Sequence, residues 1–352
     1  MSAYTTDTKI KLQNKTSMME VDLHGGAITD FHLLDNPVNP LSFRFSKDQM
    51  PANNKAGAVY QGHFICTGRW GEPSPGEINA GIPNHGEPAN IEWNIIENNE
   101  CMLSMETTAS LEGLYLLRNM KLDKDVAVCN VKETITNINP LGRLYQVVQH
   151  PTIAAPFLNE KTVVNCNAAN GFNYLYGDQP FKHIVNWPLV VDDSSKEYDL
   201  RNPQQSYNSV FSFIVDTKDN YGWMTAYSPE HALLTGYIWP RKDYPWINLW
   251  QHFENDVIKY RGLEFGNTGL HQPFKNIIAN NQLELFGEKT VSWIDAGETV
   301  TREYVSFLHQ ADKAFKGIDK LMIKDKMLCL TESVTGTQIN IGNVQFNNHH
   351  HE

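Results

Sequence analysis

Basic residues are scarce in this chain: 29 lysines and arginines against 40 aspartates and glutamates leave a net charge of −11 over 352 residues. No block of lysine or arginine stands out, and a binder of phosphate backbones needs such a face, so nucleic acid is not an expected partner. Long apolar runs are missing as well. The longest spans 153–158 and already includes Pro156, far short of the roughly 20 residues of a membrane-spanning helix. The five cysteines, Cys66, Cys101, Cys129, Cys166 and Cys329, are widely spaced and form no C-x-x-C pair. Neither a disulfide framework nor a thiolate zinc site is suggested, and each reads as a small apolar residue. The first residues, Met1-Ser2-Ala3-Tyr4-Thr5-Thr6, lack the basic stretch and apolar core of a secretory signal. These features predict a soluble, cytoplasmic protein with no membrane partner. The polar, His-rich tail 347–352 is set aside from site reasoning.

What is present is a strand pattern. Short alternating segments bounded by Gly, Asn, Asp and Pro recur at 18–23, 27–34, 58–66, 91–96, 102–107, 126–135 and 144–150. They continue at 210–215, 222–227, 233–239, 247–253, 257–265, 290–294 and 299–307. Period two with β-branched and aromatic residues is the strand signature. Helical spacing is confined to 310–323, where Ala311, Ala314, Phe315 and Ile318 share a stripe. The 41% apolar content is enough for a sizeable core. The fold expected is all-β, a large antiparallel β-sandwich through about residue 309. A short helix and a strand-like appendix at 327–346 should follow, within a C-terminal part 310–352. No repeat of 20–50 residues points to a propeller or solenoid.

The usual chemical signatures are absent: no G-x-G-x-x-G, P-loop, H-E-x-x-H or G-x-S-x-G. The remaining inventory of Trp, His, Asn and acids suits a small-molecule sugar, whose C–H faces stack on aromatics and whose hydroxyls meet amides, acids and imidazoles. Three clusters hold the unusual polar residues beside Gly or Pro. They are 62–71 with 83–88 (His63, Arg69, Trp70, His85), 149–158 (His150) and 260–269 (Glu264). Rigid scaffolds present functional groups at such strand ends. A zinc held by His63, His85 and His150 has little support, because no i, i+4 His pair with an acid accompanies them. Of the tryptophans, Trp239, Trp246 and Trp250 read more readily as core than as a sugar platform.

In order and spacing over roughly 18–309, the sequence resembles the aldose 1-epimerase (galactose mutarotase-like) family. The resemblance lies in Leu23-His24-Gly25-Gly26-Ala27-Ile28, Gly68-Arg69, His85-Gly86 ahead of Trp93, His150 with Phe157-Leu158, and Leu263-Glu264. It implies a cofactor-free isomerase of the galactose mutarotase-like supersandwich fold, with Glu264 as catalytic base at the anomeric hydroxyl and His150 as acid at the ring oxygen. It also implies sugar-binding roles for His85 and Arg69. Asn208, in Tyr207-Asn208-Ser209-Val210-Phe211, stands where many members carry Asp. A second departure is Gln149-His150-Pro151, where the family has Asn-His and a nearby aromatic. His24 has the family's His-Gly-Gly on paper but sits in the turn before the second strand, which leaves His85 as the site residue. Structural roles stay open for each: a strand-end salt bridge for Glu264, a satisfied core histidine for His150, a turn hydrogen bond for His85, a cation–π pair for Arg69. Two other functions also stay open, a non-catalytic carbohydrate-binding module and a sandwich related to polysaccharide lyases or glycosidases.

Overall fold

The computed structural model describes residues 8–177, 179–191, 196–203, 208–312 and 314–346. Strand Leu114–Leu122 shows how its sheets are made: Leu114, Leu116, Met120 and Leu122 turn inward and Tyr115, Leu117 and Asn119 outward. Repeating that alternation gives two large antiparallel sheets. Among the described residues, the first runs Lys9–Gln13, Ser17–Asp22, Ala27–Leu33, His63–Gly68, Arg143–Ala154, Val257–Gly266, Trp246–Glu254, Ser209–Val215, Ala168–Asn173, Ile184–Asn186. The second runs Val163–Cys166, Tyr221–Ser228, Leu233–Pro240, Thr299–Gln310, Val128–Asn137, Leu114–Leu122, Met102–Ala109, Asn94–Asn99. Their inner faces share one apolar core that includes Leu116, Val131, Val147, Phe213, Met224 and Phe265. This is the all-β sandwich the alternation predicts. No helix among the described residues is long and apolar enough to cross a membrane.

A hydrogen-bond chain crosses this core. Arg118 Nε donates to Glu133 Oε1 (2.7 Å), Gln149 Nε2 donates to Glu133 Oε2 (2.6 Å), and Gln149 Oε1 faces His63 Nε2 (3.0 Å). The chain ends against the inner face of the first sheet, one residue from His150. It occupies the inward positions of its strands, so His63 points away from the face carrying His150.

The helix expected over 310–323 does not form. Thr299–Gln310 ends there, a loop follows, and Ile318–Lys324 is a strand. The apparent stripe has another origin: Ala311 and Phe315 pack from the loop, and a bulge between Ile318 and Lys320 brings Ile318 and Leu321 to one face at a spacing of three. Gly317, at φ +129°, ends any helical path. Ile318–Lys324, Met327–Glu332 and Gln338–Asn343 form a separate sheet laid on the outside of the second. Two short α-helices do occur among the described residues, Pro75–Asn79 and Phe274–Ala279. Strand Arg143–Ala154 runs on through Pro151, where the alternation predicts an end at 150.

Candidate active site

Four neighbouring strands of the first sheet form the floor of a cavity of about 230 Å³. Phe64 pairs with His150. The pairs Gly262↔Thr152 and Phe265↔Gln149 bracket Glu264 and set it across from His150. Asn248 faces Glu264 from the other side. Cross-strand partners project to the same face, so one row of side chains, Phe64–His150–Glu264–Asn248, crosses four strands. Pro151 has no N–H to give the ladder at this point. Gly262 lies two residues before Glu264 on the same face, and a Cβ there would come within 2.7 Å of Glu264 Oε1. The pattern Gly262-Leu263-Glu264 thus makes room for the carboxyl.

The walls are aromatic: Phe43, Phe45, Tyr60, Phe64, Trp70 and Trp250. Phe64 stacks on the His150 ring, centroids 4.3 Å apart. His150 Nδ1 lies 3.1 Å from Thr152 Oγ1, and its Nε2 lies 3.2 Å from Glu264 Oε1. Glu264 Oε2 has no hydrogen-bond partner among the described residues. Burial pushes the Glu264 carboxyl well above the usual carboxylate range, with the Trp70 indole offsetting only part of it. Burial, helped by His271, pushes His150 down to about 3. Both shifts oppose an ion pair, burial favouring the neutral carboxyl and the neutral imidazole.

His85 comes from the loop after Ile82 and holds φ at +61°, a left-handed conformation uncommon outside glycine. Gly71 N–H donates to its Nδ1 at 3.3 Å, and Cys66 Sγ lies 3.2 Å from the same atom. Nδ1 is therefore the acceptor and Nε2 carries the hydrogen. Burial, then His271 and His150, hold this ring neutral. His271 completes the polar set, with burial pushing it down to about 4. A Cβ on Gly71, at φ +94°, would sit 2.7 Å from the His271 ring, so glycine there lets the imidazole approach. His271 and the walls from Phe43, Phe45 and Tyr60 are not singled out by the sequence patterns. His271 does lie between Gly269 and Pro273, the same neighbourhood that marks His85 and His150.

The structure brings Glu264, His150 and His85 together around the cavity. It does not bring Arg69 or Asn208 there. The Arg69 guanidinium is 2% exposed and clamped by Glu77, Nη1 donating to Oε2 at 3.0 Å and Nη2 to Oε1 at 2.5 Å, over the Phe274 ring. Asn208 is exposed and its Oδ1 accepts the Phe253 N–H at 2.7 Å; its neighbour Tyr207 lies outside the described residues. His24 lies in the turn with Gly25 and Gly26 at positive φ, 3.8 Å from Glu92. Trp239 and Trp246 are core, while Trp250 lines the cavity. No three His, Cys, Asp or Glu among the described residues are grouped to hold a metal ion.

No protein-family model matches the chain. None of the curated proteins matches it. Solved structures do. A galactose mutarotase related enzyme from Lactobacillus acidophilus superposes with TM-score 0.61 at 10% identity, covering 86% of this chain and 98% of its own. A galactose mutarotase-like protein from Clostridium acetobutylicum gives TM-score 0.61 at 11% identity, covering 86% and 95%. An aldose epimerase homologue from C. elegans gives 0.60 at 10%, covering 86% and 99%. At such identities the likeness is one of architecture, and the chain has the galactose mutarotase-like fold.

Proposed function

We propose that the chain is an aldose 1-epimerase-like mutarotase, an isomerase interconverting the α and β anomers of an uncharged aldose or close derivative by acid/base ring opening. The observation that carries this reading is the His150–Glu264 contact, 3.2 Å long, at the floor of a small aromatic cavity. The anomeric hydroxyl and the ring oxygen of a hemiacetal share one carbon. An acid and a base that serve both must stand side by side, as these two do. The family resemblance assigns the base to Glu264 and the acid to His150. Burial favours the neutral form of both groups, and from that form the two roles run the other way. His150 Nε2 then takes the O1 proton while Glu264 gives its own to O5, the C1–O5 bond breaks and the aldehyde forms. After rotation about C1–C2, O1 recovers a proton from His150, O5 returns one to Glu264, and the other anomer closes. His85 and His271 offer hydrogen bonds to the remaining hydroxyls. No lysine or arginine is among the described lining residues, which favours a substrate without phosphate or carboxylate. Glu264 is the one carboxylate lining the cavity among them, whereas glycoside hydrolysis ordinarily uses a pair.

The test is polarimetry on freshly dissolved α-D-glucose, α-D-galactose and a panel of further aldoses. Glu264→Gln and His150→Ala should each lower the enzymatic rate on the order of 10²–10⁴-fold with the fold intact. Full activity in Glu264→Gln would remove the assignment. Sugar binding with no acceleration by the wild type would replace the enzyme by a carbohydrate-binding module on the same sandwich.

A further inference from the structure

A second cavity, of about 400 Å³, adjoins the first, and His271 lines both. Its surface is chemically different. Where the first is faced with aromatic rings, this one presents the Glu72 carboxylate, the Gln272 and Asn276 amides and the backbone at Gly177. Tyr174 fixes the boundary, its hydroxyl donating to the His271 carbonyl while its ring meets the His271 ring edge-on at 5.7 Å. Gln272 is only 5% exposed, and its Nε2 donates to Gly177 O at 3.3 Å and to Gln282 Oε1 at 3.4 Å. Its Oε1 has no hydrogen-bond partner among the described residues. A buried amide oxygen left unpaired is unfavourable, and such groups in native folds usually mark a missing partner. An anion is a poor partner for a wall that carries Glu72 and, among its described lining residues, no lysine or arginine. A hydroxyl-rich ligand suits it, since hydroxyls donate to the Glu72 carboxylate and exchange both kinds of bond with the Asn276 amide, beside the Gln272 side chain that lines the same wall.

We propose that this second cavity is a saccharide subsite. The molecule whose anomeric carbon reaches Glu264 and His150 is then the reducing end of a disaccharide or longer chain rather than a free monosaccharide. The chemistry of that step rests on the mutarotase reading, but the subsite itself rests on Gln272 and the shared His271 wall. The ring at the reducing end occupies the smaller, aromatic cavity, where few groups meet its hydroxyls. The linkage passes His271, and the second ring meets the amides and the carboxylate.

The experiment compares mutarotation of maltose, cellobiose, lactose and melibiose with that of glucose and galactose, by polarimetry and by exchange NMR. Binding of the same sugars is measured in parallel by calorimetry. At least one disaccharide should show kcat/KM ten times or more that of its own reducing-end monosaccharide. Asn276→Ala, an exposed position on Phe274–Ala279, should lower the disaccharide-to-monosaccharide ratio about tenfold, and Gln272→Leu at least as much if it folds. Monosaccharides preferred throughout, or an Asn276→Ala effect equal on both classes, would overturn the subsite and leave the mutarotase standing. If no sugar is turned over, the mutarotase reading falls. Disaccharide binding that Asn276→Ala weakens would still support the subsite, and no binding by any disaccharide would overturn it too.

Discussion

A carboxyl group that is 1% exposed beside a neutral imidazole keeps its proton to higher pH in the folded chain than in the unfolded one. Folding therefore binds a proton at Glu264. The stability this gives is fully present below the ordinary carboxylate pKa and is lost as pH rises through the raised folded value. His150 works the other way: held neutral down to about 3, it loses stability as pH falls below the ordinary histidine range. Glutamine matches the shape of the protonated carboxyl and cannot ionise. Glu264→Gln should then melt higher than wild type at about pH 8, with the gap closing towards about pH 5, because only the wild type must there either hold a proton above the ordinary carboxylate range or bury a charge. Calorimetry at several pH values checks this, and a gap that widens on the acid side would refute the neutral carboxyl. At this scale three residues that line the candidate cavity are legible in the sequence. Glu264, His150 and His85 stand out because each lies within two residues of Gly or Pro and the set keeps its order. Arg69 and Asn208 show what type and place alone miss. The Arg69 guanidinium is captured by Glu77 eight residues on, and the Asn208 side chain is spent on the Phe253 amide.

Elements position these residues, and the loop 83–88 is held closely on both sides. Its Gly86, at φ +82°, lies against strand His63–Gly68 so closely that a Cβ would meet Thr67 O at 1.9 Å. Glu87 and Glu112 lock the loop reciprocally, each backbone N–H donating to the other's carboxylate at 2.8 Å. Gly86→Ala should thus cost roughly 1–3 kcal/mol from backbone strain and displacement. It should also move His85, lowering turnover or sugar affinity beyond the stability loss. Urea unfolding together with sugar binding measures both, and wild-type values for each would show that the loop is not held as described. Strand existence is read well from alternation in segments such as 210–215 and 299–307, but Leu114–Leu122 escapes it. Arg118 occupies an inward position there, paired across the ladder with Glu133, and a buried ion pair breaks the apolar count that marks a strand. The false helix at 310–323 has the converse cause, a bulge that gives a strand a helical spacing.

Across the whole molecule the second sheet has apolar side chains on both faces. Its inner face meets the first sheet. On its outer face Val128, Leu234, Ile238, Val305 and Phe307 form one cluster with Leu321, Leu328, Leu330 and Ile341 of the final three-stranded sheet and with Phe315 and Val344 just outside its strands. Alternation at 126–135 and 299–307 leaves those outer positions unexplained, because a sandwich sheet ordinarily meets water there. The last strands are the explanation: they cover that face as a third layer. Each large side chain in the cluster is worth about 1.5–3 kcal/mol when fully buried, and an extended-chain reference makes that an upper value. Even half of it over the cluster matches a typical total stability of ~5–15 kcal/mol. We therefore expect a chain ending at Gln310 to be recovered mainly as aggregate. The milder Leu328→Ala, buried at 0% exposure, should lose about 2–5 kcal/mol while the proposed sugar turnover below the melting transition stays at the wild-type level, since the layer lies on the far side of the second sheet from Glu264. A soluble, active chain ending at Gln310 would show instead that the sandwich folds independently and that the final sheet is an appendage.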